Sequence, residues 1–182
     1  ATEDDGSCFV ASDWNQQGAD IDGEEEGDWS GRVSLSSDGM TVAIGAPNND
    51  GNGTQSGHVR IYAWNSATSA WEQQGADIDG EAADDYYGRS VSLSSDGTTV
   101  AIGANGNDAN GSASGHVRIY AWNSDNNAWD QQVVDRDREA APDFIGRSVS
   151  LSSDGTTVAI GASANDGANG SNSGHVRIYA WN

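Results

Sequence analysis

Short runs of alternating apolar and polar residues, each closed by a turn signal, recur along this chain, and no stretch carries a helical period. From Gly88, Val91 and Leu93 alternate with Ser90, Ser92 and Ser94, the spacing of a half-buried strand. Ser95-Asp96-Gly97-Thr98 then predicts a tight hairpin, because Asp-Gly accepts the positive φ such turns need. Thr99–Gly103 returns as the partner strand, and residues 104–115, rich in Gly, Asn, Asp and Ser, predict a loop. His116–Trp122 reads as a third strand with Val117, Ile119 and Ala121 on one face. A short loop at 123–128 leads to a weaker fourth strand, Trp129–Gln132. The unit is thus four antiparallel strands in about 58 residues.

The unit occurs three times. GRSVSLSSDGTTVAIGA stands at 88–104 and 146–162, and a form one residue shorter, GRVSLSSDGMTVAIGA, at 31–46. SGHVRIYAWN closes each copy, at 56–65, 114–123 and 173–182. Such a period means one supersecondary unit used repeatedly, each copy burying its apolar face on its neighbour. Each copy holds too few Val, Ile and Leu to stand alone, so the sheets must pack face to face. The expected division is an acidic segment at 1–13 and repeats at 14–65, 66–123 and 124–182.

With these residues in place, the unit resembles the FG-GAP repeat of integrin-α-type β-propellers. The family's aromatic-Gly element falls at Trp29, Tyr86 and Phe144, with Gly31, Gly88 and Gly146 close behind. Its Gly-Ala-Pro element is complete only in Gly45-Ala46-Pro47, and reads Gly103-Ala104-Asn105 and Gly161-Ala162-Ser163 in the other copies. The resemblance implies an all-β fold of three four-stranded antiparallel blades; the alternative is a threefold β-prism or trefoil-like closure. Many family members carry a calcium loop between the first two strands. Here that place holds only Ser36-Ser37-Asp38-Gly39 and its copies at Ser94–Gly97 and Ser152–Gly155. A four-residue hairpin cannot wrap a cation that takes six to eight oxygens.

The repeat is cut out of phase with its sheet. The third copy stops after its third strand, and an unmatched fourth strand opens the array at Trp14, Asn15, Gln16 and Gln17. A sheet array closes this way when that first strand completes the last sheet and removes its open edge. Three blades are few for a ring, which leaves two chains forming six blades, chains joined end to end, or the prism.

Composition narrows the partners. The formal charge is −20, and all eight basic side chains are Arg. A nucleic-acid partner is disfavoured, because binding phosphates needs a positive footprint, and an anionic membrane surface is disfavoured for the same reason. No apolar run reaches the roughly 20 residues that span a bilayer, so no membrane insertion is expected. The opening ATEDDGSC is compatible with a mature end left by cleavage. Cys8 is the single cysteine, so no disulfide forms within the chain, and the thiol is either free or paired with that of another chain.

Candidate sites follow the repeat. Sequons begin at Asn52, Asn110 and Asn169 in the polar loops, where a glycan is tolerated. Alternating carboxylates stand at Asp20, Asp22 and Glu24, at Asp77, Asp79 and Glu81, and at Asp135, Asp137 and Glu139. Residues two apart in an extended chain share a face, so each triplet is expected to crowd and to attract either Ca2+ or Arg side chains. In the third copy Arg136 and Arg138 interleave with the acids, which favours Arg there. His58, His116 and His175 read as strand residues, since neither a Cys nor a second His joins any of them, and Arg60, Arg118 and Arg177 as partners of acids on adjacent strands. Trp64, Trp122, Trp181, Tyr62, Tyr120 and Tyr179 are either packing between blades or platforms for sugars.

No nucleophile elbow and no phosphate-binding Gly motif is present, so the expectation is a protein that is not an enzyme. Two functions compete: an extracellular structural protein that self-assembles with copies of itself by strand complementation, into a filament or ring, and an adhesin or lectin-like module presenting loops to a glycan or cell-surface protein.

Overall fold

The computed structural model describes residues 14–109, 111–133, 143–166 and 169–181. Every regular element in it is a strand: β1 (Arg32–Leu35), β2 (Thr41–Ala46), β3 (His58–Asn65), β4 (Ala70–Gln73), β5 (Ile78–Asp79), β6 (Tyr87–Leu93), β7 (Thr99–Ala104), β8 (His116–Asn123), β9 (Ala128–Val133), β10 (Ile145–Leu151), β11 (Thr157–Ala162) and β12 (His175–Ala180). They form three antiparallel sheets in the orders β1-β2-β3-β4, β6-β7-β8-β9 and β10-β11-β12, with β5 added beside β3. These are the three expected blades, the third with three strands.

Local chemistry sets each hairpin. In the first turn Ser36 Oγ donates to Asp38 Oδ1 (2.6 Å), Met40 N donates to the same oxygen (2.9 Å), and Thr41 N donates to Ser36 Oγ (2.9 Å). Ser94, Asp96, Thr98 and Thr99 repeat the pattern, as do Ser152, Asp154, Thr156 and Thr157. Ser→Asp hydrogen bonding pulls all three carboxyls below the ordinary Asp range, and Asp154, with Thr156 donating through both N and Oγ1, reaches about 2.

The missing residue in the first copy has a visible consequence. In β6 the register jumps from Tyr87↔Ala104 to Ser90↔Gly103, and in β10 from Ile145↔Ala162 to Ser148↔Gly161, a bulge in each. β1 pairs regularly from Arg32↔Gly45, has no bulge, and is correspondingly shorter.

Alternation decides which neighbour each side chain meets. Ala43, Val59 and Ile61 of the first sheet pack on Leu93, Val100, Ile102 and Tyr120 of the second. Ala101 and Val117, on the opposite face of the second sheet, pack on Val158, Ile160 and Ala162 of the third. The serines between the apolar residues join the blades: Leu93 N donates to Ser34 Oγ and Leu151 N to Ser92 Oγ, both at 2.9 Å. The turns are linked too, Ser37 N donating to Ser95 O and Ser95 N to Ser153 O.

The Gly of the Gly-Ala element is needed for this approach. A Cβ on Gly45 would lie 2.2 Å from the Gly88 carbonyl oxygen, and one on Gly103 would lie 2.1 Å from that of Gly146. Neither position has a positive φ. The requirement is contact between backbones of adjacent blades.

The prism alternative fails on exposure. Closure of the three sheets on one another would cover both end faces. Instead Val33 (66%) and Leu35 (57%) lie open on the first sheet, and Val176 (67%) and Ile178 (71%) on the third.

Candidate functional site

Two straps lead into successive blades by one route. In the first, the Gln17 carbonyl accepts Trp71 Nε1–H at 2.9 Å, Gly18 lies against Trp64, and Asp22 O accepts Arg60 Nη2–H at 2.7 Å. In the second, the Gln74 carbonyl accepts Trp129 Nε1–H at 2.9 Å, Gly75 lies against Trp122, and Glu81 pairs with Arg118 at 2.6 Å. Trp64 and Trp71 face each other across β3 and β4, ring centroids 5.4 Å apart, and Trp122 and Trp129 do the same across β8 and β9.

This route separates the carboxylates that were expected to crowd. Asp20 accepts Gln16 Nε2–H, while Glu24 reaches Arg60 and His58 on β3. Asp77 stays with the blade it is leaving, beside His58, and Glu81 crosses to Arg118 of the next. Asp79, in β5, is the backbone partner of His58. The second strap therefore divides its acids between two sheets, because it is itself the crossing, whereas Glu24 of the first strap reaches the first sheet alone. The third triplet, Asp135, Asp137 and Glu139, lies outside the described residues.

One histidine gains neighbours that its sequence position does not announce. His58 is 1% exposed, and its Nδ1 lies 3.7 Å from Glu24 Oε2 and 3.8 Å from Asp77 Oδ2. Nε2 is buried with no hydrogen-bond partner. Glu24, Asn49, Asp50, His58, Asp77 and Asp79 line a cavity of about 290 Å³. Glu24, His58 and Asp77 form a group able to hold a metal ion. The reading of His58 as a strand residue alone is thus incomplete.

The hairpin turns do not fit calcium. Their Asp carboxylates are already engaged by Ser Oγ and by backbone N–H groups. Other carboxylates support the loops: buried Asp28, Asp85 and Asp143 accept hydrogen bonds from Asn49, Asn107 and Asn165. These Asp–Asn pairs were not among the expected sites. Their recurrence before each aromatic-Gly element was the signal that marks them.

The remaining candidates are placed as follows. Asn52 is exposed, yet its Nδ2 donates to Gly80 O (2.8 Å) and Glu81 O (3.3 Å), which a glycan would disturb. Asn169 is exposed, and Asn110 and Cys8 lie outside the described residues. The strand expected at Trp14, Asn15, Gln16 and Gln17 does not form, because no third strand lies beside it as Trp64 and Trp122 lie beside Trp71 and Trp129. Of the proposed sugar platforms, Tyr62 and Tyr120 are buried, Tyr120 sharing a 3.0 Å hydrogen bond with Tyr87, and Trp64 and Trp122 are half-buried in their Trp pairs. Tyr179 packs against the core of the second and third sheets. Trp181 is 58% exposed.

These blades, their linking turns and the Gly–backbone contacts define a propeller-type repeat array. The FG-GAP repeat family matches residues 76–120 and 130–179, more than half of the chain, and the chain belongs to that family. Among curated proteins no sequence match was found. A provisionally assigned 6-phosphogluconolactonase from Bacteroides uniformis superposes with a TM-score of 0.53 at 12% identity, over 82% of this chain and 36% of that one. Hydrazine synthase of Kuenenia stuttgartiensis (TM-score 0.47, 16% identity, 81% of this chain and 33% of that one) and the periplasmic gluconolactonase of Pseudomonas aeruginosa (0.45, 16%, 81% and 38%) are weaker matches. The chain spans little more than a third of these structures, and the likeness concerns the fold alone.

Proposed function

We propose that this chain is a non-catalytic structural repeat protein of the extracellular or cell-surface kind, which assembles head to tail with copies of itself. The observation that carries this reading is that the two open faces are the two sides of an interface already made twice inside the chain. Val33 and Leu35 correspond to Val91 and Leu93, which pack on the preceding blade; Val176 and Ile178 correspond to Val59 and Ile61, which pack on the following one. Trp14 (77% exposed) and Trp181 (58%) likewise hold the two positions that form the Trp64–Trp71 and Trp122–Trp129 pairs. One docking movement would cover both faces, rebuild the Trp pair and supply Trp14–Gln17 as the fourth strand beside β12.

Joining unlike surfaces is a heterologous contact, which closes into a ring or continues as a filament. Two chains would make six blades, within the usual propeller range of roughly four to eight. Sedimentation velocity of the 182-residue chain across a range of micromolar concentrations tests the proposal. A discrete dimer (ring) or a growing series (filament) supports it. A monomer throughout overturns it, and would assign the open faces to further blades in the same chain or to another partner.

A further inference from the structure

We propose that Glu24, His58 and Asp77 form a binding site for a divalent transition-metal ion of the zinc type, clamping the strap that enters the first blade and the strap that leaves it onto β3. The proposal does not depend on head-to-tail assembly, since all three residues belong to one chain.

Three observations converge. The first is spacing. The 3.7 and 3.8 Å separations from His58 Nδ1 to the two carboxylate oxygens are too long for hydrogen bonds. Two ligands held at bonds of roughly 2.1 Å with a tetrahedral angle between them stand about 3.4 Å apart. The ring nitrogen and the carboxylates are therefore poised at nearly the separation that one shared ion imposes. All three ligand atoms lie within 4.8 Å of one another.

The second is burial. His58 is 1% exposed, yet its ring lines an acidic cavity of about 290 Å³. Here Nδ1 is the atom turned toward Glu24 and Asp77, with Asp50 and Asp79 also lining the space. The cavity has room for water to complete the coordination.

The third is the donor set. One imidazole and two carboxylates suit Zn2+, Co2+ or Mn2+, whereas Ca2+ takes oxygen ligands throughout. The ion therefore differs from the calcium expected of the acidic triplets. Arg60 stands beside the ligands, its Nη1 3.5 Å from Glu24 Oε1. That contact uses the carboxylate oxygen that does not face His58, so Arg60 can orient Glu24 without occupying the site.

Glu24 and Asp77 keep 45% and 30% of their side-chain surface exposed, so Glu24→Gln and Asp77→Asn should fold even where a His58 variant would not. Untagged protein is titrated by calorimetry with Zn2+, with Ca2+ in a parallel titration, and with Co2+ for its visible absorption. A histidine-selective 15N NMR spectrum reports on His58. The expected result is saturable Zn2+ binding that perturbs the His58 Nδ1 resonance, a tetrahedral-type Co2+ spectrum, and a higher Tm with Zn2+. Asp77→Asn and Glu24→Gln should each weaken that one equivalent by 10-fold or more and move the His58 shift to correspondingly higher Zn2+ concentration, while their metal-free Tm stays near that of the parent. The proposal is overturned if Zn2+ leaves the His58 resonance unmoved, if both variants bind as the parent does, or if Ca2+ binds there as tightly as Zn2+.

Discussion

The segment HVRIYA occurs in β3 and again in β12, and the two copies live in different surroundings. In β3, His58, Val59, Arg60, Ile61 and Tyr62 are all buried. In β12, Val176, Arg177 and Ile178 are exposed and His175 is half-buried. Each pairs with its second strand in the same register, Val59↔Gly45 and Val176↔Gly161 among the partners. Secondary structure is thus the same and burial is not. Residue pattern and cross-strand pairing make the strand, but only a neighbouring blade turns its apolar face into a core. β1 and β6 tell the same story from the other side, with Leu35 57% exposed and Leu93 7%.

The largest effect expected from this contrast is in paired truncations. Ile61→Ala should cost about 2–5 kcal/mol, as burial in a formed core requires. Ile178→Ala in the monomeric chain should stay within about 0.5 kcal/mol, as for an exposed position. Urea unfolding at low protein concentration measures both; equal losses would mean that β12 is covered even in the monomer.

A somewhat smaller difference should separate two glycines of the same motif. Gly45→Ala drives a Cβ against the Gly88 backbone, which cannot turn aside, and should destabilise by about 1–3 kcal/mol or more. Gly161→Ala meets chiefly Ser148 Oγ, an atom that can rotate away, so its loss in the same unfolding assay should be clearly the lesser.

A smaller effect again concerns acid. Asp38, Asp96 and Asp154 hold the same turn position, and each carboxyl is depressed by its Ser hydroxyl. A folded-state pKa below the unfolded one stabilises above the unfolded value, about 3.8 for Asp154, and that contribution fades as pH falls through about 2. Asp154→Asn should therefore lower Tm slightly at pH 5 and clearly less near pH 2, where the folded carboxyl is about half protonated. Because these groups lie at the surface, the shift should be modest. A Tm difference that persists unchanged at pH 2 would remove the carboxylate from the account.

Much of this architecture can be read directly from the chain. Ser-Ser-Asp-Gly marks each hairpin, and the Val–Leu and Val–Ile alternation marks the strands on either side. Two features escape such a reading. β5 is only Ile78–Asp79, a single apolar residue among acids, and its pairing depends on β3 already being in place. The Glu24–His58–Asp77 group joins two straps to one strand, so no local spacing brings its members together. Alternation placed the carboxylates of each triplet on one face, whereas the second strap sends Asp77 to His58 of the first sheet and Glu81 to Arg118 of the second. Similarly, Trp14–Gln17 has the residues of a fourth strand but no strand to pair with, and a strand is defined by its partner.

The central claim is that the faces bearing Val33 and Ile178 are complementary halves of one interface. Val33→Asp spoils one half and Ile178→Asp the other; both sites are exposed in the single chain, so both variants should remain folded. The most direct measurement is sedimentation velocity on each variant alone and on an equimolar mixture. The account predicts that each variant alone is monomeric, since it lacks one half, and that the mixture forms a dimer through the intact half of each. Variants that assemble as the parent does, or a mixture that stays monomeric, would contradict it.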